Sequence, residues 1–548
     1  MSSRYRTLLD RIRLAFPQPV SDRFHDSYVV HSLSRALDQV DELKTELPLL
    51  GQQKPMDYSR ALERGLARDP STVEQVTREI VGYLEGMTIF GHPRTQQNVV
   101  GPTTIPSLVG VLLSSMYNPN LCSDEYSHLI SFAEIEVTAI IARLMGFDPQ
   151  KAGGVFTFGG TGTTLYGVRI GLEKACPGSM EQGLREEVVL FSSDCAHYCR
   201  YSVASWLGMG AHAAITIPTN EDNSIDLDRL GQAARQALRE GKKIACFVAT
   251  MGSTDAFGLD DLEAIVALRD ELVAEFKLTY RPHVHADAVI GWAWSVFNDY
   301  DVEANPLGFR RRTLRALAGA VRRIRHLYLA DSIGIDFHKT GFAPYISSMV
   351  LVKERDDFKL IARDVKSMPY LYQFGDYQPG IFTLETSRSG TGILGALANL
   401  KLFGTEGMQA TIGHLVEMAQ LLREHLDGHE ATTTLNRLNF GPVTIFRVYP
   451  PGVDTFTITR KEFNDPSCAG LLEKHNVYNR KVADYVHAEA MAGRGVVLSF
   501  TDCYRRTAYG APIVGQKSFI LSPFVDESHV ETVVAKVLEA REKIDHEG

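Results

Sequence analysis

Short apolar segments alternate with helical stretches between about residue 105 and residue 405, and this alternation limits the folds open to the chain. The strand candidates are Val188 to Phe191, Ile244 to Ala249, Val284 to Ala286, Leu327 to Ile333 and Met349 to Val352. Strands that are separated by helices usually lie parallel in one sheet, with helices on both faces. The sequence therefore predicts a large α/β domain with many parallel strands.

The two ends of the chain have different patterns. About 85 residues at the start show helical periodicity, whereas residues 441–448 and 518–522 are predicted strands and residues 527–544 a final helix. A chain of 548 residues also exceeds the size at which one hydrophobic core stops growing. We predict a helical N-terminal segment (1–105), a large α/β domain (106–405) and a small α+β domain (406–548).

The net charge of −9 and the isoelectric point near 6.0 argue against a nucleic-acid partner. Arginines cluster between Arg310 and Arg325, and we interpret the cluster as a solvated helix face or a subunit contact. No apolar run approaches the ~20 residues of a membrane span. The sequence therefore predicts neither a nucleic-acid nor a membrane partner.

The seven cysteines are scattered, and no secretory leader is evident, so we predict a reducing, cytoplasmic location. Cys195 and Cys199 flank His197 and could suggest a metal site. No second pair of ligands follows at the spacing of a zinc site, so no metal is predicted.

An aspartate and a lysine indicate the chemistry. Asp287 lies in the segment His285 to Ala288, and Lys339 ends the segment Asp336 to Lys339. A lysine that forms a Schiff base with an aldehyde, and a carboxylate that keeps a pyridine nitrogen protonated, are what a pyridoxal phosphate (PLP) enzyme requires. A lone lysine is usually a surface residue, but this one lies between two apolar runs that predict buried strands.

A glycine-rich loop, Phe158 to Thr164, precedes the apolar stripe Leu165, Val168 and Leu172. This pattern predicts that a helix begins at the loop. The N–H groups at the start of that helix, with the hydroxyls of Thr161 and Thr163, would form a cradle for a phosphate. From the loop alone, an ordinary tight turn is equally consistent.

Polar residues follow several of the predicted strands. His197, Thr250 and Asp287 come after the strands that end at Phe191, Ala249 and Ala286. Ligands of open α/β sheets bind at the carboxyl ends of the strands. We therefore expect these residues to share one binding site.

In order and spacing, a set of segments resembles one family, the group II PLP-dependent amino-acid decarboxylases, which include glutamate, aromatic-amino-acid and histidine decarboxylases. The resemblance covers most of the chain, and it implies PLP-dependent transferase fold type I, with a mainly parallel sheet of the seven-stranded type. The segments are Gly91 to Arg94, Phe158 to Thr161, Ala196 to Tyr198, Ala249 to Thr254, His285 to Ala288, Ala330 to Ile333, Asp336 to Lys339 and Ser387 to Gly390.

The resemblance also implies a role for each matching residue. Lys339 would hold the aldehyde of PLP, His197 would stack on the ring and Asp287 would pair with the ring nitrogen. The remaining cofactor contacts would come from Gly160, Thr161, Gly162, Thr163, Thr250, Ser332 and His338. His92 and Asn98 would line the substrate pocket of their own or the neighbouring subunit of a homodimer with shared active sites. Tyr377 falls in the segment that corresponds to a mobile catalytic loop, and would donate a proton.

One feature bears on specificity. By the resemblance, Lys517 stands in the last strand where glutamate decarboxylases place an arginine for the side-chain carboxylate. The missing arginine argues against an acidic substrate, whereas a Lys517 that substitutes as a point charge, without the bidentate fork, would still allow one. Acidic, aromatic and other amino acids therefore stay open as substrates. The predicted reaction is α-decarboxylation of an L-amino acid to an amine and CO2. The alternatives are a PLP-dependent carbon–carbon lyase, an aldehyde-forming oxidative decarboxylase and a non-catalytic homologue.

Overall fold

The structure is a computed structural model that describes residues 4–369, 372 and 374–547. The N-terminal segment is mostly helical: α1 (Arg4–Arg13), α2 (Arg23–Leu43), α3 (Tyr58–Leu62), α4 (Val73–Gly82), β1 (Thr95–Gln96), α5 (Ile105–Tyr117), α6 (Asp124–Ser127) and α7 (Leu129–Met145). Local signals start several of these helices. The Thr72 side chain accepts a hydrogen bond from the Gln75 amide, and the Gln75 side chain accepts one from the Thr72 amide, which forms a capping box at α4.

The central part of the chain alternates strands and helices. They are β2 (Gly153–Thr157), α8 (Gly160–Ala175), α9 (Ser179–Gln182), β3 (Val188–Ser193), α10 (Cys199–Trp206), β4 (Ala214–Ile217), α11 (Leu227–Arg239), β5 (Lys243–Thr250), α12 (Leu262–Phe276), β6 (His283–Asp287), α13 (Arg311–Ile324), β7 (Ser332–Asp336), α14 (Phe337–Thr340) and β8 (Ser348–Val352). The strands form one seven-stranded sheet in the order β2-β8-β7-β6-β5-β3-β4. Only β8 runs antiparallel to its neighbours in this sheet. This architecture confirms the predicted α/β fold with a mainly parallel sheet.

The last part of the chain forms a second sheet. Its elements are α15 (Thr391–Asp427), β9 (Thr432–Thr434), β10 (Val443–Val448), α16 (Thr455–Asn464), α17 (Ala469–Met491), β11 (Val497–Arg506), β12 (Pro512–Phe519) and α18 (Glu527–Glu547). The strand order is β1-β11-β12-β10-β9, and β1 pairs parallel with β11. The N-terminal segment thus supplies an edge strand to the small sheet. The predicted boundaries at residues 105 and 405 stay predictions.

Two strand predictions need correction, and two strands were missed. Residues 325–329 form a 3₁₀ helix and β7 begins only at Ser332, so the strand predicted from Leu327 is wrong at its start. The apolar run there packs into the core as a helical turn, and a short apolar run does not distinguish a strand from a buried helix. The last strand is Pro512–Phe519, earlier than the predicted 518–522. Strands β2 and β4 were not predicted, because β2 begins with two glycines and β4 has four residues.

The basic cluster lies on and beside α13, whose other face is buried. Arg310 pairs with Glu417 and Glu527, Arg312 with Glu424, and Arg323 with Asp261. These arginines therefore join α13 to acidic residues of its own chain.

None of the helices among the described residues has the length and apolar character that crossing a membrane requires.

Helix α8 packs closely on the sheet because two of its residues lack a side chain. A Cβ at Gly167 would lie 2.5 Å from Nδ1 of His285, and a Cβ at Gly171 would lie 2.9 Å from Cβ of His283 and against the carbonyl oxygen of Ala245. Burial lowers the pKa of His285 to about 3 and that of His283 well below its usual value, so both rings are neutral. The glycines thus set the distance between α8 and strands β5 and β6.

We predict that Gly171→Ala destabilises the fold by about 1–3 kcal/mol or more, because the added methyl group overlaps backbone atoms that cannot move aside. Gly470→Ala is the matched control, since Gly470 lies in α17 with no atom within 4 Å of its Cβ position. The control should keep or slightly raise the free energy of unfolding. Urea unfolding of both variants measures this, and equal stability of the two would contradict the packing argument.

Candidate active site

Lys339 lies one short turn beyond the end of β7, in α14. Its Nζ atom is 2.8 Å from Oδ2 of Asp336, the last residue of β7, whose side chain is only 1% exposed. Burial opposes the charged lysine, but the carboxylates of Asp336 and Asp287 outweigh burial and raise the pKa of Lys339. The structure therefore presents an ammonium group between two buried acids at the carboxyl edge of the sheet.

Asp287 ends the neighbouring strand β6, in register with Thr250 of β5 and Gly334 of β7. Burial raises the pKa of Asp287 to about 6, although Lys339 opposes this shift. Its buried Oδ1 atom has no hydrogen-bond partner among the described residues. A buried carboxylate oxygen without a partner is costly, so Asp287 is poised to accept a hydrogen bond from a cationic ligand.

His197 follows β3 at the same edge. Its Nδ1 atom accepts a hydrogen bond from the Cys199 amide at 3.2 Å, which fixes the ring. Burial, with a smaller contribution from Lys339, lowers the pKa of His197 to about 4. The ring is therefore neutral at pH 7, and a neutral flat ring is suited to stacking on an aromatic ligand.

The N-terminus of α8 forms the predicted anion cradle. Gly159 precedes the helix with φ of 116°, a conformation that side chains rarely adopt. The amides of Gly162 and Thr163 donate to the Gly159 carbonyl, which leaves the amides of Gly160 and Thr161 at the open end of the helix. The Thr163 hydroxyl donates to the Gly160 carbonyl at 2.8 Å, so it is turned into the helix and not toward a ligand.

Two further cofactor candidates lie near these groups. The Thr250 amide donates to the buried carboxyl of Asp260 at 2.7 Å, and its hydroxyl lies 3.3 Å from that of Ser193. Nδ1 of His338 lies 3.0 Å from the Ser347 carbonyl oxygen, and its Nε2 lies 3.5 Å from Oδ2 of Asp336. Thr250 and His338 therefore hold fixed positions beside Asp287 and Lys339.

The prediction that Ser332 binds the cofactor is wrong. Ser332 is the first residue of β7, about 13 Å along the strand from Asp336 at a rise of ~3.3 Å per residue. Its buried hydroxyl lies 2.8 Å from both Nε2 of His283 and Nδ1 of His285. The residue therefore stabilises the sheet beneath α8, away from the edge where ligands bind.

The two predicted substrate residues, His92 and Asn98, contact different parts of the chain. Nε2 of His92 lies 3.2 Å from the Glu46 carbonyl oxygen, in the N-terminal segment. The Asn98 amide donates to the Ser499 hydroxyl of β11. A Cβ at Gly101 would lie 3.2 Å from the Lys339 carbonyl oxygen, so the segment that carries Asn98 continues to the lysine.

Tyr377 is half-buried, and its hydroxyl donates to Glu134 at 3.2 Å. Glu134 is fully buried and also forms an ion pair with Arg388 at 2.6 Å. In this arrangement the Tyr377 hydroxyl belongs to a buried network of its own subunit.

Three residues of the site were missed from the sequence. Asp336 touches Lys339, Asp260 fixes Thr250, and Tyr345 lies with its ring centroid 3.9 Å from that of His338. Burial raises the pKa of the Tyr345 phenol, and Lys339 lies near enough to oppose that shift. The position of Asp336 three residues before Lys339, at a strand end, was a usable signal. Asp260 and Tyr345 gave none, because their neighbours depend on the tertiary fold.

Comparisons with known proteins agree with this geometry. The family model described as "Pyridoxal-dependent decarboxylase conserved domain" matches residues 55–448. L-2,4-diaminobutyrate decarboxylase of Acinetobacter baumannii is 26% identical over 488 residues, which are 86% of this chain and 84% of that protein. Human acidic amino acid decarboxylase GADL1 is 23% identical over 71% of this chain and 69% of that protein. A crystal structure of mouse CSAD in apo form has a TM-score of 0.75 at 17% identity, covering 94% of this chain and 99% of that chain.

The chain therefore belongs to the pyridoxal-dependent decarboxylase family. PLP is its cofactor, its fold is that of the fold type I decarboxylases, and its reaction is the decarboxylation of an amino acid. The predicted family, fold class, cofactor and reaction are confirmed. The matches favour decarboxylation over the carbon–carbon lyase, the aldehyde-forming reaction and the non-catalytic homologue.

The residues at the sheet edge fit PLP. The unpartnered oxygen of Asp287 suits a ring N–H, the neutral His197 ring suits a stacked pyridine, and the open amides of Gly160 and Thr161 suit a phosphate. Lys339 would supply the amine for the aldehyde. The chemistry of this donor set fits the ring nitrogen, the ring face, the phosphate and the aldehyde of the cofactor.

Proposed function

We propose that Lys339 is the lysine that binds the PLP aldehyde and that Asp287 is the acid that faces the ring nitrogen. The observation that supports this most is the burial of Lys339, Asp287 and His197 at one edge of the sheet, where Lys339 lowers the pKa of His197 and Asp287 favours the charged form of Lys339. Gly160, Thr161 and His338 would hold the phosphate, with Thr250 beside the ring. Bound PLP supplies an electron sink for the bond between Cα and the substrate carboxylate.

The residues of the chain have three tasks in this reaction. Asp287 keeps a positive charge on the ring nitrogen, because a buried carboxylate favours the cationic form of its partner. His197 holds the plane of the ring. Residues of the substrate pocket must orient the leaving carboxylate perpendicular to that plane, since orientation is the main contribution of such sites.

We predict that Lys339→Ala abolishes turnover and that Asp287→Asn lowers kcat by about 10²-fold or more, because a neutral amide cannot hold the pyridinium charge. Lys353→Ala is the control, since Lys353 follows the end of β8 at the opposite edge of the sheet, where its ammonium donates to the Tyr328 carbonyl and lies over the Phe147 ring. Borohydride reduction with peptide mapping should mark Lys339. A reduced cofactor on another lysine would refute the assignment.

We propose that Tyr377 donates the proton that replaces CO2 at Cα. The resemblance of its segment to a catalytic loop supports this role, and a phenol is a suitable acid once water is excluded. To reach a substrate, the hydroxyl must first leave Glu134.

For this role we predict that Tyr377→Phe lowers kcat by about 10²-fold with little change in KM, since only the proton is removed. Tyr345→Phe is the matched variant, because Tyr345 is another tyrosine of the site and its phenol interacts with Lys339. Single-turnover measurement of amine and aldehyde products compares the two. The reverse order of effects would assign the proton to Tyr345 and not to Tyr377.

We propose that the substrate carries a cationic side chain, as L-2,4-diaminobutyrate does. Lys517 is 2.8 Å from Asp255 and its side chain is 6% exposed, so its charge is already neutralised. Asp255 follows β5 in the loop at the carboxyl edge, and its side chain is half-exposed. Lys517 pairs in register with Ser499, which holds Asn98. Both charges of this pair are partly satisfied, but Lys517 is buried, whereas the half-exposed Asp255 carboxylate can also face the cation of a substrate.

Accordingly, the wild-type enzyme should prefer diamino acids to glutamate or aspartate in a substrate panel. Asp255→Asn should raise KM for a diamino acid by about 10-fold, the effect of losing an ion pair of ~1.4 kcal/mol, and leave kcat nearly unchanged. Asp502→Asn is the control, because Asp502 is an exposed acid on β11 of the same sheet. Fastest turnover of glutamate by the wild type would exclude this substrate class.

We propose a homodimer with shared active sites, to which His92 and Asn98 contribute. Helices α5 and α7 expose large apolar side chains, with Ile105 78%, Leu129 68% and Phe132 62% exposed. Tyr345 and Ile346 beside the site are also exposed, so a second copy could cover both regions. A monomer in sedimentation at the assay concentration would contradict the dimer.

We infer a cytoplasmic location from the cysteines. All seven are free thiols in the structure, and Cys122, Cys199 and Cys246 are buried. Unpaired cysteines are typical of a reducing compartment. Thiol titration of protein taken directly from cells measures this, and disulfides among these residues would contradict it.

A further inference from the structure

Both carboxylate oxygens of Asp336 have a close contact. The Ser348 hydroxyl donates to its Oδ1 atom at 2.6 Å, and its Oδ2 atom lies 2.8 Å from Nζ of Lys339. Asp336 ends β7 and Ser348 begins β8, and the two residues pair in register. The carboxylate therefore has one orientation, and Lys339 lies at its free oxygen.

Several titratable groups surround Lys339. Asp336 on β7 and Asp287 on β6 favour its charge, as does Tyr345 from the loop before β8. His197 after β3, Cys199 of α10 and His338 of α14 also interact with it, and burial disfavours the charged form of all three. Among the described residues, only Asp336 lies within ion-pair distance of Nζ.

This contact has two opposite effects on a lysine that must attack an aldehyde. The ion pair holds Nζ at the carboxyl edge of the sheet, close to the cradle: a Cβ at Gly160 would lie 2.9 Å from Oδ2 of Asp336. The same ion pair favours the ammonium form, which has no lone pair for attack. Asp336 thus stabilises the free lysine and slows its reaction.

We propose that Asp336 is a positioning residue that receives the Lys339 ammonium whenever this lysine is not bonded to the cofactor. The inference rests on the proposed role of Lys339. When a substrate ammonium replaces the lysine, the substrate nitrogen gains the carbon–nitrogen double bond that the lysine nitrogen loses. Two protons pass from the substrate nitrogen to the lysine nitrogen, so the lysine departs as an ammonium ion. Asp336 then holds that ion within reach for the return step that releases the amine.

The first experiment measures the titration of Lys339 in protein freed of PLP. Competitive acetylation at a series of pH values, followed by peptide mapping, reports the fraction of neutral amine at Lys339. Lys353 in the same sample is the internal reference, because its contacts among the described residues are the Tyr328 carbonyl oxygen and the Phe147 ring, at the opposite edge of the sheet. This measurement needs neither turnover nor a bound cofactor.

Asp336→Asn should lower the titration midpoint of Lys339 by about one pH unit or more, which is a 10-fold rise in labelling at neutral pH. Asp287→Asn is the matched variant, because it removes the other acid without touching Nζ, and its shift should be smaller. Loading of PLP into Asp336→Asn should also be faster at pH 7. Ser348→Ala should give an intermediate shift, since it removes the hydroxyl that orients Asp336.

No shift in Asp336→Asn, or a larger shift in Asp287→Asn, would overturn the inference. Near-ultraviolet circular dichroism checks that each variant is folded, and Ser348→Ala carries the test if Asp336→Asn is not. The outcomes also separate the two proposals. If PLP is found on another lysine while the titration shift is observed, the proposed function fails, and the ion pair between Asp336 and Lys339 stands without a role in the return step.

Discussion

Three charged groups, Lys339, Asp336 and Asp287, are buried together where β6 and β7 end, and the rest of the site depends on their desolvation. Removing a charge from water costs several kcal/mol unless a partner compensates it. The ammonium is compensated by two carboxylates, which leaves the group with a net negative charge and leaves one oxygen of Asp287 without a partner. A positively charged ring that entered the site would complete the balance. The uncompensated charge therefore lowers the free energy of unfolding, and it preorganises the site for a cationic ligand.

Much of the active site could be predicted because its residues follow buried strands. The rule that ligands bind at the carboxyl edge of a parallel sheet predicts from the sequence alone that His197, Thr250 and Asp287 lie together, and in the structure all three lie at the same edge. Helix α8 begins at Gly160, as the glycine loop and the apolar stripe predicted. These features depend on local sequence and on a general rule of topology.

The remaining features depend on contacts that are distant in sequence. Ser332 matched a family segment, but the start of β7 lies 2.8 Å from two histidines beneath α8, and only the register shows this. The Tyr377 hydroxyl bonds to Glu134, 243 residues away. Strand β2 begins with Gly153 and Gly154. Glycine is needed at position 154 because a side chain there would collide with Thr138 of α7. Neither periodicity nor propensity carries such information.

The edge strand β1 joins the small sheet to the lysine through a very short piece of chain. Gln96 pairs with Leu498 of β11, whereas Gly101 lies against the Lys339 carbonyl. Residues 97–100 thus connect the small sheet to the edge of the large sheet at Lys339, and four residues reach about 13–14 Å when fully extended. The link includes Asn98, whose φ is 53°. A displacement of the small sheet relative to Lys339 by more than this reach would therefore have to move the backbone of Asn98.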